Sequence, residues 1–228
     1  MSTAELLRPD NSVRQTWARR ACAVAGSAFV VLTFAGNSLT ESVVDTGAEL
    51  SGPQALEDFA VKAASTAAQT GLAMELLGFV ALVAFVGFIV DTARRRTIHG
   101  VAGIIAAVAA TVMLAVKLGS GAPYVAGLAY HSILSPDAAL ALSVTNGAAF
   151  VIAWLPFSVF VVATAWVLRT AGVLGRFGTG AGLVIGALGM AAALVGVSDS
   201  ASAMPVPFLM GCVWTAVVSI KAAITMHD

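Results

Sequence analysis

Apolar residues run almost unbroken through six stretches of the chain, at about 21–38, 71–90, 101–118, 146–168, 178–197 and 204–220, and polar residues collect between them. A helix rises about 1.5 Å per residue, so about 20 apolar residues cover the ~30 Å hydrocarbon core of a bilayer. The pattern predicts an all-α membrane protein, a six-transmembrane-helix bundle. A polar leader at 1–20 precedes one transmembrane domain at 21–222, and a short tail at 223–228 follows it. Ser12–Arg20, with Trp17, has the composition of a short interfacial helix in the leader.

The polar links carry their own signals. In the long segment after the first stretch, Pro53 starts a helix through Ala68, with Leu56, Phe59 (or Ala60), Ala63 and Ala67 at helical spacing, suited to lying along a membrane surface. Gly119-Ser120-Gly121-Ala122-Pro123 predicts a break after the third stretch, and Tyr124–Leu134 then reads as a second interfacial helix or a shallow re-entrant turn. Ser135-Pro136-Asp137 is a strong helix start, combining an N-cap hydroxyl, a proline at the first position and an acid favoured by the helix dipole. A helix starting there can run unbroken to Leu168; longer than the hydrocarbon is thick, it would project outward, tilt, or bend near Pro156.

Composition strengthens this picture and charge orients it. Of the 228 residues 59% are hydrophobic and only 11% charged, which lies outside the soluble globular range. The net charge of zero hides an asymmetry. Arg8, Arg14, Arg19, Arg20, Arg94, Arg95, Arg96, Arg169, Arg176 and Lys221 fall at the start, the end and the second and fourth links, so ten of twelve basic residues share one side. Basic residues near span ends stay cytoplasmic, which predicts a multi-pass plasma-membrane protein with both termini inside. Lys62 and Lys117 fall on the other side, among Glu41, Asp45, Glu49, Glu57, Asp58, Asp137 and Asp199. A cleaved signal peptide competes at Arg19–Phe34, but Glu5 and Asp10 are unusual in such a leader. Cys22 and Cys212 lie at different depths of separate stretches, which disfavours a disulfide.

The fifth stretch carries Gly178, Gly182 and Gly186 at four-residue spacing. Such a stripe lets another helix approach closely where lipid supplies no hydrophobic drive. The packing partner is either a helix of the same chain or, as a homo-oligomer or membrane complex, a helix of another; the lipid bilayer is the remaining partner, and nothing points to nucleic acid.

Two charges lie within the apolar stretches. Glu75 is sixteen residues before Asp91, and Lys117 sixteen after Val101, so both stand ~24 Å from the basic side on neighbouring antiparallel helices. An unpaired charge in the bilayer costs several kcal/mol, so the two are natural partners, although boundary anchoring explains each separately. Asn37 and Asn146 belong to the same layer, and Asp199, His131 and Tyr130 lie in the links beside it. Together they predict a polar vestibule open to the outside, above an inner half without embedded charge. A channel or proton relay needs polar residues through the full depth, so the pattern argues against one.

Other chemistry is missing from the sequence. His99, His131 and His227 lie outside the apolar stretches, which removes a bis-histidine haem, and no metal-protease, nucleophile-elbow or phosphate-loop motif occurs. No cofactor, no metal and no catalytic residue is expected. Two classes of function remain: a small-molecule or ion handling protein, transporter or accessory subunit, using the vestibule; or a non-transporting membrane sensor, scaffold or regulatory partner.

The C-terminal half has a cadence of its own: Asp137 to Asn146, then Trp154-Leu155-Pro156-Phe157, then Leu168-Arg169-Thr170-Ala171-Gly172-Val173-Leu174-Gly175-Arg176. It resembles a group of uncharacterised actinobacterial integral membrane proteins with six spans, whose link after span four has a similar form without the inserted Ala171. The resemblance implies a six-helix plasma-membrane protein and carries over no catalytic residue.

Overall fold

The computed structural model describes residues 11–41, 51–95, 100–198 and 205–225. They form seven α-helices: α1 (Asn11–Glu41), α2 (Gly52–Ala64), α3 (Thr66–Arg94), α4 (Gly100–Tyr130), α5 (Pro136–Thr170), α6 (Arg176–Ser198) and α7 (Val206–Thr225). One 3₁₀ turn, His131–Ile133, follows α4, and no strand occurs among the described residues. All the helices but α2 are long and apolar enough to cross a membrane.

The six long helices close into a ring in the order α1, α3, α4, α5, α6, α7. α5 is the hub, touching α2, α3, α4, α6 and α7, with Phe157, Phe160, Val161, Thr164 and Leu168 almost entirely enclosed. Lipid is as apolar as leucine, so helices in a membrane associate by close packing and hydrogen bonds rather than by hydrophobic exclusion. Both devices are visible here. Ser219 of α7 inserts its hydroxyl into the backbone ladder of α1, donating to the Ala23 carbonyl and accepting from the Ser27 amide. The outward surfaces carry Val31, Val80, Ile104, Val112, Val184, Leu194, Val217 and Ile224, a belt suited to hydrocarbon.

Each end of the bundle has a charge clasp. At one end the Asp91 carboxylate accepts from Arg95 Nε at 3.0 Å and forms an ion pair with Arg19, whose Nε also stands at 3.0 Å, tying the N-terminal part of α1 to the end of α3. The opposite end, called the α2 end, is built from α2 and the projecting turns of α4 and α5. At about 1.5 Å per residue, the 31 residues of α4 and 35 of α5 outreach a ~30 Å core.

Four sequence expectations change. The expected interfacial helix Ser12–Arg20 is not separate: α1 runs from Asn11 through the whole first stretch. The break at Gly119–Pro123 does not occur either. α4 passes through Pro123 to Tyr130, so the second long link holds no independent interfacial helix, only the extended ends of α4 and α5 and the 3₁₀ turn. Packing overrides propensity: Gly127 lies so close to Phe59 of α2 that a Cβ would stand 2.6 Å from the ring, and Tyr124 packs on Phe59 at 5.3 Å between centroids. Third, the helix after Pro53 ends at Ala64, so Ala67 belongs to α3. Ser65 makes the corner, its amide bonding the Lys62 carbonyl while its hydroxyl caps α3 at Ala68 N. Fourth, the inward face of α2 is Ala55, Asp58, Phe59 and Lys62, one step round from the apolar stripe read from the sequence. A carboxylate and an ammonium one turn apart neutralise each other and can be buried together.

Two other expectations match in detail. Ser135 caps α5 by accepting from Ala138 N, and α5 continues unbroken through Pro156 to Thr170. It ends where Gly172 takes a positive φ of 78°, which lets the amides of Val173 and Leu174 turn back to the Leu168 carbonyl.

Candidate functional site

The site begins with a close helix crossing. On α3, Gly71, Glu75 and Gly78 recur at four- and three-residue intervals and share one face. On α1 the opposing positions are Thr33, Gly36 and Thr40. A Cβ on Gly36 would stand 2.5 Å from the Gly71 carbonyl and 3.0 Å from the Glu75 amide, and one on Gly78 would stand 2.8 Å from Thr33 Oγ1. The two backbones touch, and Glu75 lies within that contact stripe rather than toward lipid.

Across the ring, Lys117 of α4 places Nζ 3.6 Å from Glu75 Oε1 and 5.1 Å above the centre of the Phe150 ring of α5. The pair is mostly enclosed, with 17% of the Lys117 side chain and 22% of that of Glu75 exposed. At this separation it is an ion pair without a hydrogen bond. Among the described residues no side chain donates to the Glu75 carboxylate or accepts from the Lys117 ammonium, so both retain unmet hydrogen-bonding capacity.

Two cavities meet at this pair. Toward the α2 end lies a vestibule of about 390 Å³ with mixed walls, polar at Asn37, Thr40, Glu41, Tyr124 and Asn146 and apolar at Leu72, Leu76, Leu118 and Val125, with Glu75 and Lys117 at its floor. On the other side lies an apolar chamber of about 120 Å³, walled by Phe29, Phe34, Phe79, Met113, Phe208 and Cys212. Asn37, Glu75, Phe79 and Lys117 belong to both. The chamber also has Thr33 in its wall, with a buried hydroxyl that has no hydrogen-bond partner. Beyond it Phe157 meets Phe208 at 5.2 Å and Phe160 at 6.2 Å, a closed aromatic floor.

A second charged cluster, missed in the sequence reading, closes the vestibule rim. Lys62 of α2 is only 4% exposed, with Nζ 3.1 Å from Asp58 Oδ1 and 3.7 Å from Glu41 Oε1. Tyr124 of α4 is its fourth member. Burial disfavours the Lys62 charge and is the largest single influence; Tyr124, Glu41 and Asp58 together outweigh it, and the pKa is raised above the ordinary lysine value. The cluster joins α1, α2 and α4. The signal that could have found it was the i, i+4 spacing of Asp58 and Lys62, which sets the two charges one turn apart on α2.

The structure thus brings four of the sequence candidates together, Glu75, Lys117, Asn37 and Asn146. It leaves Tyr130 exposed, and His131 directs Nδ1 to the Leu128 carbonyl at 2.9 Å; neither lines the vestibule or the apolar chamber. Asp199 lies outside the described residues. The glycine stripe faces inward. A Cβ on Gly182 would stand 2.6 Å from the Trp214 ring of α7 and 2.8 Å from Ala165 of α5, and one on Gly186 would strike Val162. The Trp214 indole donates to the Gly178 carbonyl at 3.0 Å. This face is filled by α5 and α7 of the same chain, so a second copy docking there would have to displace Trp214. Among the described residues no three His, Cys, Asp or Glu side chains converge as a metal would require. Compared with protein-family models, curated proteins and solved structures, the chain gives no match.

Proposed function

We propose that this is a multi-pass plasma-membrane protein, both termini cytoplasmic, that handles a small molecule through the vestibule at its α2 end, as a transporter or an accessory subunit. The observation that carries the reading is the meeting of a partly polar vestibule and an apolar chamber at Glu75 and Lys117, whose hydrogen-bonding capacity is unmet. Ion pairs that only hold helices together are normally completed by further hydrogen bonds. Basic residues concentrated at the Asp91 end support placing that end inside and the α2 end, with α2 as an interfacial cap, outside.

The closed aromatic floor favours a second reading, a sensor that binds without passage. Cys212 in the chamber wall separates the two. With Cys22→Ala leaving it the sole thiol, a small impermeant thiol reagent is applied to right-side-out and inside-out vesicles. Handling from the outside requires modification in right-side-out vesicles; transport requires it in both, and sensing in right-side-out vesicles alone. Modification only in inside-out vesicles overturns the outward orientation.

A further inference from the structure

The class of ligand follows from the two chambers and the pair between them. Resting on the vestibule being a ligand site, we infer that it takes a small amphiphilic zwitterion, carrying an ammonium and a carboxylate at one end and an apolar group no larger than a ring at the other.

Three observations converge. The first is charge. Glu75 and Lys117 stand 3.6 Å apart, short of a hydrogen bond, and lack other charged partners among the described residues. A ligand ammonium can donate to the Glu75 carboxylate while a ligand carboxylate accepts from the Lys117 ammonium, and both gain charge-assisted hydrogen bonds. A lone cation would face Lys117 and a lone anion would face Glu75, and either would add net charge to a layer of low dielectric. A zwitterion adds none. The second is polar lining. Asn37 and Asn146 border the same space, and their side chains make no hydrogen bond within the described residues. An amide offers both a donor and an acceptor, so each can serve either end of a zwitterion.

The third is size. The apolar chamber opens beside the pair and has a volume of about 120 Å³. An engineered apolar cavity of about 150 Å³ takes up benzene, so this one admits a branched aliphatic group or a tightly fitted ring. Phe29, Phe34, Phe79, Met113 and Phe208 offer that group only apolar contacts.

The test is thermal stability of the purified full chain in detergent, titrated with four probes. L-Leucine has both charges and an apolar group; 3-methylbutylamine lacks the carboxylate, 4-methylpentanoate lacks the ammonium, and glycine lacks the apolar group. A ligand of the native state raises Tm with concentration, which yields an apparent Kd. L-Leucine is expected to bind about tenfold or more tightly than each of the other three, the factor for one lost charged hydrogen bond in 3-methylbutylamine and 4-methylpentanoate and for lost burial of the isobutyl group in glycine. Lys117→Met should make leucine and 3-methylbutylamine equivalent, a change that loss of stability alone does not produce. If either singly charged probe matches leucine in the native protein, the vestibule is a ligand site but not one for zwitterions. If no probe shifts Tm while Cys212 is modified from the outside, the zwitterion class is overturned and the handling reading survives. If Cys212 is also unreachable, both fall. The probe series on the unaltered protein decides even if Lys117→Met does not fold.

Discussion

Gly36 and Gly71 meet backbone to backbone: a Cβ on either would collide with the carbonyl oxygen of the other. The crossing holds Glu75, one turn along α3, inside the bundle. Gly71→Leu should therefore break the α1–α3 contact, at a cost at or above the ~1–3 kcal/mol typical of overpacking. Gly119 and Gly121 have open space around the Cβ position, so alanine there should be neutral or slightly stabilising. Thermal unfolding in detergent compares them; equal effects at Gly71 and Gly121 would remove the argument for a close crossing.

Glu75 and Lys117 should behave as one unit. Removing one partner leaves a charge in a mostly enclosed layer, whereas removing both leaves none. Glu75→Gln and Lys117→Met should each lower stability more than the double substitution does, with a coupling of roughly 1–3 kcal/mol. Strict additivity in that cycle would reduce each residue to a separate boundary anchor.

Lys62 holds three helices together from a buried position. Lys62→Met strands Asp58, 7% exposed, beside Phe59, and should cost about 3–5 kcal/mol. Adding Asp58→Asn should restore part of it. The folded-state pKa of Lys62 is raised, so its contribution is fully present below the ordinary value of 10.5 and fades as pH climbs through the higher folded value. The stability difference between the native protein and Lys62→Met should accordingly stay flat through neutral pH and shrink only in strong alkali. A difference that collapses near neutrality would mean that Lys62 is not the charged member of this cluster.

Gly182 separates α6 from α5 and Trp214 by less than a methyl group's reach. Gly182→Leu should lower Tm and perturb Trp214 fluorescence, because the side chain pushes the indole off the Gly178 carbonyl. Light scattering should show the same particle mass for any folded fraction. A changed mass with Tm and fluorescence intact would place a second chain on this face.

Much of the bundle was legible in the sequence because bilayer thickness is a ruler. Six apolar stretches of sufficient length must be helices, since an unpaired backbone amide in hydrocarbon costs several kcal/mol. Local chemistry was equally direct at Ser135, whose hydroxyl caps α5. The matched heights of Glu75 and Lys117 also came from counting residues at a fixed rise. What counting could not supply was rotation about each helix axis and contact between distant elements. Whether Glu75 faced lipid or Lys117 depended on Gly36 and Gly71, thirty-five positions apart, meeting across two helices. Pro123 and its flanking glycines signalled a break, yet Phe59 and Tyr124 hold α4 helical beyond it. Lys62 was placed only on the side opposite the basic links, and it is the fold that gathers Glu41, Asp58 and Tyr124 around it from three helices. Helix existence follows from each segment's own transfer energy, but which face turns inward is settled only by the neighbours it packs against.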